Sequence, residues 1–263
     1  MRLRRYARLI RIFAGASASV QLEYRANFLA HALTATLTSG GALFGLVVLA
    51  GADQTIGGWS HREAVVVVGF YTIVQGFIGA VLYPNLNAIG EQVRTGTLDF
   101  TLLKPVDAQF LVSARNINLL RLADVVVGLV LIAWAVGGLQ TATWSGLLLA
   151  LGLVAAALAI VYAVWFMLTT TAFWFVKVGN LTELFSGLFR AGQFPVSAFP
   201  GWARFLFTFV VPAAFITTVP AEAVLGRIRT ASAVQALVAA AMLLVLSRWF
   251  WRFAVRSYTS ASS

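Results

Sequence analysis

The sequence predicts an all-α membrane protein with six transmembrane helices, and three observations predict it. Hydrophobic residues make up 60% of the chain and charged residues only 11%, where ordinary soluble domains carry roughly 25% charge. The apolar residues gather in charge-free runs about as long as the ~20 residues a helix needs to cross a bilayer. The basic residues collect between and beyond those runs, as positive-inside anchoring requires. In 263 residues, six such crossings point to a single transmembrane domain, 1–263, with little room for a separate soluble one. The formal charge of +10 would suggest nucleic acid in a soluble chain. Here anchoring accounts for it, and no nucleic-acid partner is expected. There is no cysteine and there are only two histidines, His31 and His61, so thiolate sites are excluded and no metal site is expected.

The first element, within 1–26, reads as an amphipathic helix. Arg4, Arg5, Arg8 and Arg11 share one arc of the helical wheel, and Leu3, Tyr6, Leu9, Ile10 and Phe13 fill the other side. Such a helix lies on a membrane with its arginines among the headgroups; a disordered basic tail is the alternative. A signal peptide would need its apolar core sooner. Spans follow at 28–51, 64–89, 117–138 and 146–175. Gly40, Gly41, Gly45, Gly76 and Gly79 offer small faces for close helix packing. Beyond them, 180–226 is apolar but interrupted by Arg190, Pro195, Pro200, Arg204, Pro212 and Pro220, and a last clean run, Ala231 to Leu246, precedes Arg248, Arg252 and Arg256.

Both termini are expected in the cytoplasm. That arrangement puts fourteen of the nineteen Lys and Arg inside, among them Arg94, Lys104, Arg115 and Arg121, and leaves Arg62, Arg190, Arg204, Arg227 and Arg229 outside. An even number of crossings then allows 180–226 one span, about 180–198, and a stretch that returns to the side it entered, the re-entrant pair at 202–224. Prolines suit such a break, since each removes a backbone donor; one kinked helix is the alternative. Arg190 falls near mid-membrane and must face protein or water. Glu222 follows Pro220, where it suits a half-helix N-terminus. Asp124 lies three residues after Arg121, on one helical face, and is expected to pair with it.

Between spans two and three lies a polar segment, 91–113. Gly96 ends one element, and Pro105 with Asp107 marks a turn. Between them Leu98, Phe100, Leu102 and Leu103 surround Asp99 and Lys104, so a short helix here shows an apolar patch with a charged rim. That patch fits a groove on another protein or a bilayer surface; the physics favours neither.

Three stretches carry a resemblance: "IGEQVRTGTLDFTLLKPVDAQF", "FPVSAFPGWARFLFTFVVPAAFITTVPAEAVLG" and "VRSYTSASS", together about a quarter of the chain. With the combination R-x-G-x-L-D-x-x-L-L-K-P, they resemble the permease subunits of type-2 ATP-binding-cassette (ABC-2) exporters, in the branch of six-span bacterial proteins of about this length. The resemblance implies an N-terminal elbow helix, a cytoplasmic coupling helix after span two that sits in a cleft of the ATP-binding subunit, and re-entrant helices before span six that cap the outward end of the path. It assigns Glu91, Arg94, Gly96, Leu98, Asp99, Leu102, Leu103, Lys104 and Pro105 to the coupling element. Arg190, Pro195, Pro200, Pro212, Pro220 and Glu222 are candidates for the path or outer gate.

The sequence has no G-x-x-x-x-G-K-[ST], so it holds no P-loop for ATP. The implied protein is a non-catalytic permease in a bacterial cytoplasmic membrane, with no cofactor of its own. Its partners are two copies of a separate P-loop subunit that binds ATP and Mg, a second permease, identical or homologous, and membrane lipid. Its cargo is an amphipathic or lipid-like molecule moved outward. An ion-coupled secondary transporter would want internal repeats and a mid-membrane ion site; a lipid-headgroup enzyme would want clustered acids or histidines. Neither pattern is present in the sequence, and a non-transporting membrane anchor is a further alternative.

Overall fold

A computed structural model describes residues 2–22, 25–50, 55–139, 143–175, 186–210 and 214–258. Helix α1 (Arg2–Leu22) covers the predicted amphipathic segment and α2 (Arg25–Ala50) the first apolar run. Arg4, Arg5, Arg8 and Arg11 of α1 are exposed. Its Tyr6 ring meets Phe110 edge-on at 4.7 Å, and Ser17 and Gln21 bond the backbone at Ile117 and Leu119. Part of the apolar side of α1 is therefore used within the chain.

A hairpin of β1 (Thr55–Ile56) and β2 (Trp59–Ser60), antiparallel with Thr55 opposite Ser60, leads to the next helix. Gly57 turns it at φ +56°, and a Cβ there would stand 2.7 Å from the backbone of Ser197 and Ala198. Only glycine meets both demands. Helix α3 (His61–Arg94) opens with a capping box between Ser60 and Glu63. Its 34 residues extend about 51 Å at 1.5 Å per residue, against a hydrocarbon core of about 30 Å. The span expected to end at residue 89 thus continues as helix to Arg94. Hydropathy marks where the apolar surface stops, and the helix goes on in polar surroundings.

Within α3, Ile78–Leu82 form a π turn. Such turns disrupt the regular ladder, and a backbone N–H from outside α3 and a side chain of α3 itself serve two of the carbonyls here. Asn118 N–H donates to the Ala80 oxygen at 2.8 Å, and Asn85 Nδ2 to that of Val81 at 2.7 Å. Asn85, buried, also exchanges two bonds with the backbone of Asn116, at 2.6 and 2.8 Å. This clamp holds the chain after α4 (Asp99–Leu102) and α5 (Ala108–Ala114) against α3 well above its Arg94 end. Helix α6 (Leu119–Val136) consequently starts beside the π turn and runs antiparallel to α3.

The α3–α6 seam is tight because glycines line it. A Cβ on Gly128 would lie 2.6 Å from the Gly69 oxygen, and one on Gly76 2.7 Å from the Val125 side chain. Gly76 and Gly79 are packed as expected, whereas Gly40, Gly41 and Gly45 meet nothing within 4 Å among the described residues. Helices α7 (Trp144–Phe173) and α10 (Thr230–Arg256) complete the bundle. Among the described residues, α3, α6, α7 and α10 are long and apolar enough to cross a membrane. The core has two parts. One, near His61, includes Val66, Val67, Ala135 and Leu153. The other, toward Arg94, includes Leu82, Leu86, Leu98, Trp165, Phe166 and Trp251. Trp165 and Trp251 are thus core residues, while Trp144, Trp202 and Trp249 are exposed as interfacial tryptophans are.

Of the fifth expected span, about 180–198, residues 180–185 fall outside the described residues and the rest is not one continuous helix. Residues 186–189 are helical and Arg190–Gln193 form a 3-10 turn. The chain breaks at Pro195 and Pro200 before α8 (Gly201–Phe205) and resumes as α9 (Ala214–Val224), whose first turns are π-helical. Both ends of this stretch lie beside the His61 end of α3. The Ser197 hydroxyl bonds the Gly57 oxygen and Trp59 Nε1, and Arg227 pairs with Glu63 at 2.5 Å. Residues Ala214–Thr218 are already helical, so Glu222 lies inside α9, in the first turn of its α-helical part Val219–Val224, with helical backbone before it.

Candidate functional site

The segment between α3 and α6 is built around one turn of helix. Gly96, at φ +71°, lets the chain leave α3, and Leu98 N–H returns to the Gln92 oxygen at 3.1 Å. Leu98 and Thr101 are buried, Leu102 is half-buried, and Phe100 and Leu103 are 70% and 82% exposed. The single apolar patch expected from Leu98, Phe100, Leu102 and Leu103 is therefore divided. A turn of helix places residues three and four apart on one side, so Leu98 and Leu102 anchor α4 to the bundle. Phe100 and Leu103 point away from it, next to exposed Lys104 and Pro105. Glu91 and Arg94 pair with each other on the last turn of α3 at 2.6 Å. Asp99, half-buried, influences Tyr258. Burial and the Asp99 charge raise that phenol above its ordinary range.

Asp107 joins this segment to the last helix. Its side chain caps α5 by accepting from Phe110 N–H at 3.0 Å and forms a two-pronged pair with Arg248 of α10. Arg248 also donates to Gln109 at 3.0 Å, and Gln109 and Ser113 both bond the Tyr162 hydroxyl of α7. Burial pushes the Asp107 carboxyl up, but the bonds from Arg248 and from Phe110 N–H outweigh it and hold the group below the usual carboxylate range. The α4–α5 unit is thus fixed to α3, α7 and α10 together.

Two adjoining cavities, of about 460 and 440 Å³, lie between α2, α3, α6 and the 186–193 segment. They share Gln75, Arg121, Asp124 and Arg190. Gln75 donates to the Tyr71 hydroxyl at 2.9 Å, Ser39 and Thr72 hydroxyls lie 3.3 Å apart, and Arg121 approaches Asp124 to 3.5 Å. The expected Arg121–Asp124 pair is present. Arg121, counted among the inside residues, and Arg190, counted among the outside ones, meet in this cavity. The cause is the return of residues 95–118 along α3, which lifts the start of α6 to the level of Gly79.

Of the candidates for a path, the structure brings Arg190 to the cavity. Pro195, buried, and Pro200, exposed, mark breaks in the chain; Pro220 and Glu222 lie in α9; Pro212 falls outside the described residues. Sequence reasoning missed Gln75, Tyr71, Asn85 and the Asp107–Arg248 pair. A glutamine in an otherwise apolar run was the available signal for Gln75. Among the described residues there is no group of three acids or histidines placed to hold a metal.

A family model described as ABC-2 family transporter protein matches residues 36–262. No curated protein matches the chain.

Proposed function

The chain belongs to the ABC-2 transporter family, and on that premise we propose that it is one membrane half of an ATP-driven exporter for an amphipathic or lipid-like molecule. Family membership and the long apolar helices make it an integral membrane component of a transporter, a kind that associates with an ATP-binding subunit. The finer reading is as follows. Six spans cross a bacterial cytoplasmic membrane with both termini inside, α1 is the elbow helix, α4 the coupling helix, and residues 202–224 the re-entrant pair. A second permease, identical or homologous, completes the path. Two P-loop subunits bind ATP and Mg, and this chain is itself non-catalytic.

One observation carries the coupling role: a single turn of helix exposes Phe100 and Leu103 while its other side is anchored in the core. Exposed large apolar side chains on a braced tip suit a partner groove. The same tip is bonded to α3, which continues to Gln75 at the cavity, roughly 30 Å from Arg94 by helical rise. ATP-driven closure of the partner subunits would then move a rod that forms one wall of the path. The two separated ends, one an exposed apolar tip and one a polar cavity, favour this reading over a passive anchor.

The test is co-purification from native membranes. A P-loop ATPase should remain with the unaltered chain and be lost with the Phe100→Asp, Leu103→Asp variant. An unchanged complex in the variant would remove α4 as the docking element. Absence of any ATPase from the unaltered chain would leave the secondary-transporter or anchor readings.

A further inference from the structure

The cavity holds a cation that the described residues do not neutralise. Two arginines face one aspartate, and the 3.5 Å approach of Arg121 to Asp124 uses that carboxylate. Arg190, carried on the 3-10 turn Arg190–Gln193, is open to the cavity and makes no ion pair or hydrogen bond among the described residues. An arginine at membrane depth is costly without water or a counter-ion, and a guanidinium is built to grip carboxylate or phosphate oxygens with two parallel N–H bonds. Neutral polar groups stand nearby in Gln75 and Gln193, while Ile78, Phe189 and Val68 supply apolar wall.

We infer that this cavity selects an amphipath with one anionic headgroup. Arg190 is its counter-ion, Gln75 and Gln193 are neutral hydrogen-bond partners, and the apolar wall receives the chain. One charge follows from the lining, because Arg121 already has Asp124. That this amphipath is the exported cargo rests on the function proposed above; the site itself does not.

The full chain in phosphatidylcholine nanodiscs provides the test, by scintillation proximity with tritiated dodecyl methyl phosphate, a monoanionic diester. Unlabelled dodecyl methyl phosphate should compete at least about tenfold better than dodecyltrimethylammonium, which shares its tail, as expected for one charge-assisted pair. Arg190→Gln should abolish that preference, Arg190→Lys should keep most of it, and Arg204→Gln should leave it unchanged. Equal competition by the two compounds in the unaltered chain overturns the inference without any variant needing to fold; so does an undiminished preference in Arg190→Gln. The assay contains no ATPase. A preference that holds while the ATPase complex fails to drive uptake of the diester into inverted vesicles supports the site and removes the exporter reading. ATP-driven uptake without charge preference does the reverse.

Discussion

Removing Asp107 should loosen the α4–α5 unit from the bundle, and its two roles can be measured separately. As the cap of α5 it satisfies Phe110 N–H, worth about 1 kcal/mol. As the partner of Arg248 it makes charge-assisted bonds, worth about 1.5–3 kcal/mol in a buried setting. The two side chains are 29% and 36% exposed, so screening brings that contribution nearer about 1 kcal/mol. Asp107→Ala should therefore cost about 2 kcal/mol, and Asp107→Asn, which can still cap, about 1 kcal/mol. The assay is an SDS titration of the full chain in mixed micelles, followed by tryptophan fluorescence, on Asp107→Asn, Arg248→Gln and the double variant. A coupling energy near 1 kcal/mol is expected; costs that add to within about 0.3 kcal/mol would refute the pairing as a source of stability. Acid supplies a second arm. Asp107 is held below the usual carboxylate range, so its contribution is complete above its unfolded pKa of about 3.9 and is lost as pH falls through the lower folded value. The unaltered chain should lose this increment below about pH 4, and Asp107→Asn should show no such loss.

Asn85→Leu keeps the volume of the clamp and strips the Asn116 backbone of both partners. It should cost about 2–4 kcal/mol and speed amide exchange at Asn116; unchanged protection there would remove the clamp from the account of how α6 is positioned. Gly128→Ala places a methyl against the Gly69 oxygen and Ile73 nitrogen and should cost about 1–3 kcal/mol in the same titration. Gly152→Ala, whose Cβ meets nothing within 4 Å, should be neutral or slightly stabilising, and equal effects at the two sites would argue against the glycine seam.

Particular residues explain what was legible in the sequence. Spans three and four stood out because their runs are free of charge almost to their ends, and the helices found, Leu119–Val136 and Trp144–Phe173, differ from expectation by a few residues. The end of α3 was misplaced because residues beyond Ile89 are polar yet still helical. Arg190 and the Arg121–Asp124 pair were visible as charges inside apolar runs. Gln75 stood out only as one neutral amide in an apolar run and Tyr71 not at all, since single uncharged groups become informative only when a fold gathers them. Asp107 and Arg248 stand 141 residues apart, and no local pattern couples them. The split of Phe100 and Leu103 from Leu98 was hidden for a related reason: in one turn of helix, which side faces inward is decided by the core it meets.

These misses belong to one arrangement. Because α3 is longer than the apolar core of a bilayer is thick, the chain that leaves it at Gly96 must climb back before it can form α6, and the climb needs polar fastenings: Asn85 on Asn116, Asn118 on Ala80, Asp107 on Arg248. Each crosses between elements, so each makes the tip and the helices around the cavity less free to move separately. Under the proposed function that rigidity has a use. A push on Phe100 and Leu103 passes through Leu98 into α3 and through Asp107 into α10, so it reaches the Gln75 side of the cavity along a packed element. The π turn Ile78–Leu82 lies between tip and Gln75, with the Ala80 carbonyl bonded from outside the helix by Asn118 N–H and the Val81 carbonyl bonded by the Asn85 side chain. If bending occurs anywhere along this rod, that turn is where the backbone ladder offers least resistance, and Ile78 and Gly79 there already line the cavity.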